Sequence, residues 1–338
     1  MIISPRQFRV AFFAAAAVSI SACSQGSMLS TPAAGKTQSA AHTARGVAVA
    51  PQAKAMLALA GQSGNRSVIG KGDSTMLARP ELLSSGALYD SIVVNAKGKT
   101  SNYIASEGFE CCSTKEFGDG VGFSRTGAHL GQVSVILSSW GCQNGFWNTN
   151  NCLTTPGSNF KEPITANVYS VTNLPSGAPA PGQLLASETN EFFIPYRPSA
   201  NNQKCFGSDL GKFYSAVDNK CANGLSVRIN FNFKRANVIL PQNAIVTVAY
   251  NTSDAGYNPY GQNTQCFTGP GGCGYDSLNV SAWGNGGFVG SNIDPNGVFV
   301  NFGNPSFYCN QTGNGSGALQ LDTPCWTGYH PEIKVSTL

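Results

Sequence analysis

Charge is scarce in this sequence. Of 338 residues, 21 are Lys or Arg and 17 are Asp or Glu, 11% in all, where an ordinary soluble domain carries about 25%. Histidine is scarcer still: His42, His129 and His330 are the full set. A Ser-His-Asp hydrolase needs a histidine beside an activated serine, and no Gly-x-Ser-x-Gly stretch supplies one, so nucleophilic hydrolysis is disfavoured. No Cys-x2-Cys pair occurs, which removes the usual zinc frameworks. Gly269-Pro-Gly-Gly272 lacks the following Lys-Ser/Thr of a phosphate loop. The longest apolar run, Val10 to Ile20, is well short of the ~20 residues that span a bilayer as a permanent helix. No stretch carries the period of a long amphipathic helix.

What is abundant is glycine (39), asparagine (30), phenylalanine (19) and cysteine (11). That much cysteine argues against a reducing compartment, and a hydrophobic share of 41% argues against a disordered chain. Arg6 and Arg9 precede the apolar run, and Ile20-Ser-Ala-Cys23 follows it. A positive segment, a short apolar segment and a small-residue site make a removable leader. Its end resembles the lipobox of bacterial lipoproteins. That resemblance covers the leader only and implies a signal peptide over 1–22, a diacylglycerol on the Cys23 thiol and cleavage just before it. It places the chain in the bacterial cell envelope, extracytoplasmic and lipid-anchored, at the outer membrane in a host that has two.

Residues 23–85 are rich in Ala, Gly, Ser, Thr and Gln and almost free of aromatics, so they cannot bury enough surface to offset ordering entropy. They read as a flexible tether with an end-to-end distance of roughly 40 Å. Residues 24–81 carry a charge of +4 and residues 82–338 a charge of −2. The basic balance therefore belongs to leader and tether. A near-neutral folded domain lacks the footprint that neutralising phosphates requires, so nucleic acid is excluded as a partner.

Over 86–338 the period is two. Leu225, Val227, Ile229, Phe231 and Phe233 alternate with Ser226, Arg228, Asn230 and Asn232, and Gln132 to Trp140 alternates in the same way. Further strands are expected at Leu88–Asn95, Ile164–Val171, Leu184–Ile194, Ile245–Thr252, Ser277–Trp283 and Val298–Phe302. Proline and glycine punctuate them, as in Asp294-Pro-Asn-Gly297. Many antiparallel strands without βαβ spacing imply an all-β, jelly-roll-like sandwich.

Setting Cys23 aside leaves ten cysteines, an even number. Their spacing points to local staples across loops: Cys142 with Cys152, Cys205 with Cys221, Cys266 with Cys273, and Cys309 with Cys325. Adjacent Cys111 and Cys112 form a vicinal disulfide, remain as thiols or pair elsewhere.

Aromatics on polar segments are the candidate binding groups. Trp140, Trp147, Trp283, Trp326, Tyr257 and Tyr260 stand among Asn, Gly, Ser and Gln. Flat rings stack on the CH faces of sugars, while amides supply directional donors and acceptors; the same rings could instead cover disulfides and the sandwich ends. The Ser226, Arg228, Asn230, Asn232 face is a second candidate surface. Glu116-Phe-Gly-Asp-Gly120 reads as a turn, with Glu116 and Asp119 as candidate oxygen ligands for a structural Ca²⁺. No other cofactor is expected. His129 and His330 read as surface residues. No carboxylate pair is marked as the acid and base of a glycosidase, and Glu188 and Glu191 fall on opposite sides of a regular strand.

Glu116-Phe-Gly-Asp119, Ser138-Ser-Trp-Gly-Cys142, Pro163-Ile-Thr-Ala-Asn-Val-Tyr169, Phe193-Ile-Pro-Tyr-Arg-Pro-Ser199, Tyr250-Asn-Thr-Ser253 and Tyr275-Asp-Ser-Leu-Asn-Val280 together resemble an uncharacterised group of secreted or surface-attached bacterial proteins. The resemblance covers about half of the chain. It implies an exported β-domain and brings no catalytic residues with it. The expected function is non-catalytic binding of cell-wall or extracellular glycan, or of another surface component. A secreted carbohydrate-active enzyme with an unidentified carboxylate pair and a structural surface protein are the alternatives. Intact mass and detergent partitioning check the anchor: native chain acylated and in the detergent phase, Cys23→Ser unacylated and in water.

Overall fold

The computed structural model describes residues 86–95, 97–109, 114–145, 150–250, 278–284, 286–303, 305–309 and 317–338. The leader, the lipobox with Cys23 and the tether lie outside the described residues. So do Cys111, Cys112, Trp147, Tyr257, Tyr260, Cys266 and Cys273.

In chain order the strands are β1 (Ala87–Asp90), β2 (Ser106–Gly108), β3 (Thr114–Gly122), β4 (Leu130–Ser139), β5 (Asn159–Asn173), β6 (Pro179–Pro195), β7 (Phe213–Ser215), β8 (Lys220–Ala222), β9 (Leu225–Asn232), β10 (Asn243–Ala249), β11 (Leu278–Ser281), β12 (Ser291–Asn292), β13 (Val298–Phe302), β14 (Gln320–Asp322) and β15 (Ile333–Thr337). Two 3-10 turns, Gly207–Asp209 and Pro305–Phe307, complete the elements. The architecture is the expected all-β one. Each strand read from periodicity has a counterpart, except that the one expected at Leu88–Asn95 ends at Asp90, where the chain leaves the sheet.

Two antiparallel sheets face each other. In the first, β4 is central: β9 pairs along one side, while β15 and then β11 pair along the other. β1 and β2 continue outward from β15 and β11. In the second, the order is β14-β13-β3-β10-β5-β6, with β12 also on β3. Alternation decides what faces the middle. Val133, Val135 and Leu137 of β4, Ile229 and Phe231 of β9, and Val335 of β15 meet Phe117 and Val121 of β3, Val246 and Val248 of β10, and Ile164 and Val168 of β5 in one core. Each such side chain contributes roughly 1.5–3 kcal/mol on burial.

The first sheet is covered on its outer face as well. Segment 91–105 folds across it, and Ile92, Val94 and Ile104 pack on Ile136, which points away from the main core. The outward side chains of this sheet are therefore mostly hydrogen-bonded inside the protein. Ser134 donates to Asn230 Oδ1 at 2.7 Å, Lys334 pairs with Asp90 at 3.1 Å, and Glu332 accepts from the Val93 amide at 2.8 Å and from the Ser281 hydroxyl. Of the candidate face on β9, Ser226 is bonded to Asn102 and Thr100 under this cover.

The second sheet departs from the sequence reading at one point. Residues 116–120 are the middle of β3 and not a turn, because Gly118, Gly120 and Gly122 let neighbouring groups come unusually close. A Cβ on Gly118 would stand 2.1 Å from the Val246 carbonyl oxygen and 2.5 Å from Thr247 Cα. On Gly120 it would meet Ile293 and Phe299. Three of the expected staples are present, Cys142–Cys152, Cys205–Cys221 and Cys309–Cys325. The Cys205–Cys221 loop carries the β7–β8 hairpin and is tied down by Arg197. Its fully buried guanidinium donates to the carbonyls of Asn223, Gly211 and Pro198.

Overpacking of this kind ordinarily costs about 1–3 kcal/mol. Gly118→Ala is expected to lower the unfolding free energy by that amount, read as a lower urea midpoint with the unfolding slope unchanged.

Candidate functional site

The outer face of the second sheet is the described surface on which polar and aromatic side chains are arrayed without a covering segment across β5 and β6. Register fixes the rows. Gly118, Thr247, Asn167 and Ser187 lie side by side across β3, β10, β5 and β6; Glu116, Ala249, Thr165 and Thr189 form the next row, and Gly120, Ile245, Tyr169 and Leu184 the row on the other side. With no side chain at Gly118, the Glu116 carboxylate reaches across it. Its Oε1 accepts from Asn167 Nδ2 at 2.9 Å, from the Tyr169 hydroxyl at 3.0 Å and from the Thr247 hydroxyl. Asn167 Oδ1 in turn accepts from Ser187 at 2.7 Å, and the hydroxyls of Thr165 and Thr189 are 2.8 Å apart.

Farther along the hairpin Lys161 bridges to Glu191 at 2.7 Å and lies over the Phe193 ring at 5.2 Å. Phe193 is 64% exposed. Glu188 and Glu191 sit on opposite sides of β6, as their spacing requires. Desolvation and the neighbouring Glu116 carboxylate push the Tyr169 hydroxyl far above the ordinary tyrosine range, so it stays a donor. The result is a half-exposed tyrosine, an exposed phenylalanine, and hydroxyl, amide and carboxylate groups held in fixed orientations between them.

The sequence candidates divide differently. Trp326 is fully buried against Phe117 and its indole donates to Asp322 at 2.8 Å. Trp140 is buried too, donating to Ser138 at 3.0 Å. Both are corrections: their polar neighbours serve the buried indole N–H groups, and neither ring is open to a ligand. Trp283 is 38% exposed and keeps an open side.

Glu116 and Asp119 also fail as joint ligands of one ion. Three residues apart on a strand, they point to opposite faces, Glu116 outward and Asp119 inward with Phe117 and Val121.

Asp119 instead meets His330, which is buried and not on the surface. Nδ1 of His330 lies 3.2 Å from Asp119 Oδ2, while Nε2 is 3.1 Å from the Pro295 carbonyl. Asn292 donates to the same carboxylate oxygen at 2.7 Å. This cluster ties β3 and β12 to the segment leading into β15.

The acids with raised pKa values are all inside. Desolvation pushes Asp119 up to about 6, with His330 working against it, and lifts Glu162 to about 8. It lifts Asp322 to about 6 and Glu332 to about 7, in each case against stabilising hydrogen bonds. All four are at most 2% exposed. Thr247 and Asn167 are buried beneath this face; its accessible groups, Tyr169, Thr165, Ser187, Thr189 and Phe193, can meet a polyhydroxylated ligand by stacking and hydrogen bonds, whereas the acids tuned for proton transfer have no open face. No family model, curated protein or solved structure matches the chain.

Each of these carboxyls has a folded-state pKa above its unfolded value, so between the two values the folded chain holds more protons, and stability is lost as pH rises. His330 acts in the same sense: burial alone would push it down, but the hydrogen bond and charge of Asp119 raise it. Urea midpoints are expected to fall steadily from about pH 5 to about pH 8, the window of these shifts. A midpoint that climbs across that range contradicts this assignment.

Proposed function

We propose that this chain is a cell-envelope lipoprotein whose β-sandwich binds glycan without turning it over, with the outer face of β5 and β6 as the binding surface. The observation that carries the reading is the set of half-exposed and exposed side chains Tyr169, Thr165, Ser187, Thr189 and Phe193 on one sheet face, held from below by Glu116 with the buried Asn167 and Thr247. Rings give sugars a stacking surface, and fixed amide, hydroxyl and carboxylate groups match hydroxyls that both donate and accept. The lipobox-like leader and long tether supply the location, holding such a face away from the membrane and toward cell-wall or extracellular polysaccharide.

Non-catalytic binding is preferred to glycoside hydrolysis on the position of the acids. An acid–base pair must flank the scissile bond, and Asp119, Glu162, Asp322 and Glu332 are enclosed by the fold. A protein partner is the weaker alternative. Strand β6 is a sheet edge of 17 residues, but Pro179, Pro181, Glu188, Glu191 and Pro195 along it are the features that discourage strand addition.

The test uses the full acylated chain in detergent micelles with insoluble cell-wall and exopolysaccharide fractions. The chain is expected to co-sediment with one of them, and Tyr169→Ala, with an unchanged circular dichroism spectrum, to weaken that binding about tenfold, the loss of ~1.4 kcal/mol. Lack of binding to every fraction, or equal binding by the variant, overturns the proposal. Release of soluble saccharide overturns the non-catalytic part of it.

A further inference from the structure

The three described disulfides differ in what their sulfurs touch. Cys142 and Cys152 are buried, with Sγ atoms 3.9 Å from the Trp140 carbonyl and 4.0 Å from the Pro198 carbonyl. Cys205 is buried, and the Cys221 sulfur is 3.8 Å from the Lys204 carbonyl. At Cys309–Cys325 the neighbour is a carboxyl group. Asp322, 1% exposed at the end of β14, places Oδ2 at 3.1 Å from Cys309 Sγ. Its position is fixed from two other sides: Oδ1 accepts from the Cys309 amide and Oδ2 from the Trp326 indole, both at 2.8 Å. Both cysteines are half-buried, whereas Cys142, Cys152 and Cys205 are fully buried.

A disulfide sulfur has no proton to give. The contact between Asp322 and Cys309 is therefore a hydrogen bond only when the carboxyl carries the proton and donates it. Burial favours that form, pushing Asp322 up to about 6, with the Trp326 and Cys309 hydrogen bonds opposing. No charged side chain among the described residues contributes to that shift. The two sulfurs and the carboxylate lie within 4.8 Å of one another, but sulfurs bonded to each other offer no thiolate to a cation.

We propose that Cys309–Cys325 is an exchangeable disulfide, opened by a dithiol that attacks Cys325, with Asp322 as the acid that protonates the departing Cys309 sulfur. The thiolate of the dithiol forms a bond to Cys325 Sγ as the Cys309–Cys325 bond breaks. The electron pair leaves on Cys309 Sγ, which takes the proton from Asp322. The second thiol of the reagent then attacks the mixed disulfide, gives its own proton to solvent, and releases Cys325. The dithiol is oxidised to its disulfide by two electrons and the two cysteines are reduced; Asp322 recovers a proton from water. Leaving-group protonation matters because the rate of exchange depends on how readily that sulfur departs.

The experiment treats the intact chain with dithiothreitol between pH 5 and 8, quenches by alkylation and maps the modified cysteines by mass spectrometry. At pH 5 Cys309 and Cys325 are expected to be labelled at least about tenfold faster than Cys142–Cys152 and Cys205–Cys221, a modest share of what general acids supply. The rate per dithiothreitol thiolate is expected to fall as pH rises through about 6, the value to which Asp322 is pushed, and Asp322→Asn to show no such fall. Opening no faster than Cys205–Cys221, or a rate per thiolate independent of pH in the native chain, overturns the proposal. Both of those readouts come from the unsubstituted protein, so they decide it even where Asp322→Asn does not fold.

Discussion

A sheet buried on both faces must satisfy every polar group it carries from within the protein, and the first sheet of this sandwich obeys that constraint around β4. Its inward residues Val133, Val135 and Leu137 build the core. Its outward residues Ser134, Ile136 and Ser138 are buried too. Segment 91–105 makes this tolerable. It brings apolar side chains to Ile136 and the Val93 backbone amide to Glu332, while Asp90 and Lys334 neutralise each other beside them. An uncompensated charge there would cost several kcal/mol, so strand, cover and charge network stand or fall together.

Among the described residues the second sheet has no comparable cover across β5 and β6, and the two sheets differ accordingly. One side is fully committed to holding the fold. The other presents hydroxyls and rings to the outside above a Glu116 carboxylate that bonds the buried Asn167 and Thr247 and whose reach depends on the missing side chain of Gly118. The described disulfide loops gather elsewhere, around Arg197 and at the β13–β14 end, where Cys309 and Cys325 pack on the core beside Trp326 and Tyr308. Each staple restricts its loop in the unfolded chain.

Much of this was legible in the residues. Strong alternation in Leu225–Phe233 and Gln132–Trp140 marked β9 and β4, and short loop separations marked three cysteine pairs. What escaped were features whose meaning depends on partners distant in sequence. Asp119 reads as a turn ligand and His330 as a surface residue until the fold joins them inside. Trp140 and Trp326 stand in polar surroundings, which suggested exposure, but a buried indole needs a polar partner and Ser138 and Asp322 supply it. Glycines at alternate positions made β3 look like a turn. The β5–β6 array was hidden for another reason: Glu116, Asn167, Tyr169, Thr247 and Ser187 come from four strands, and only their register brings them together.

The pairing of β15 has a consequence for the order in which the sandwich closes. Segments with a cysteine separation of 10 or 16 can close locally, before distant strands arrive. Strand β4 cannot be completed that way, since β9, β11 and β15 all follow it, and β1 waits for β15 as well. Contacts this distant form slowly and leave strand edges open meanwhile. The first sheet is thus completed late, with β4 open along one side until β11 and then β15 have arrived.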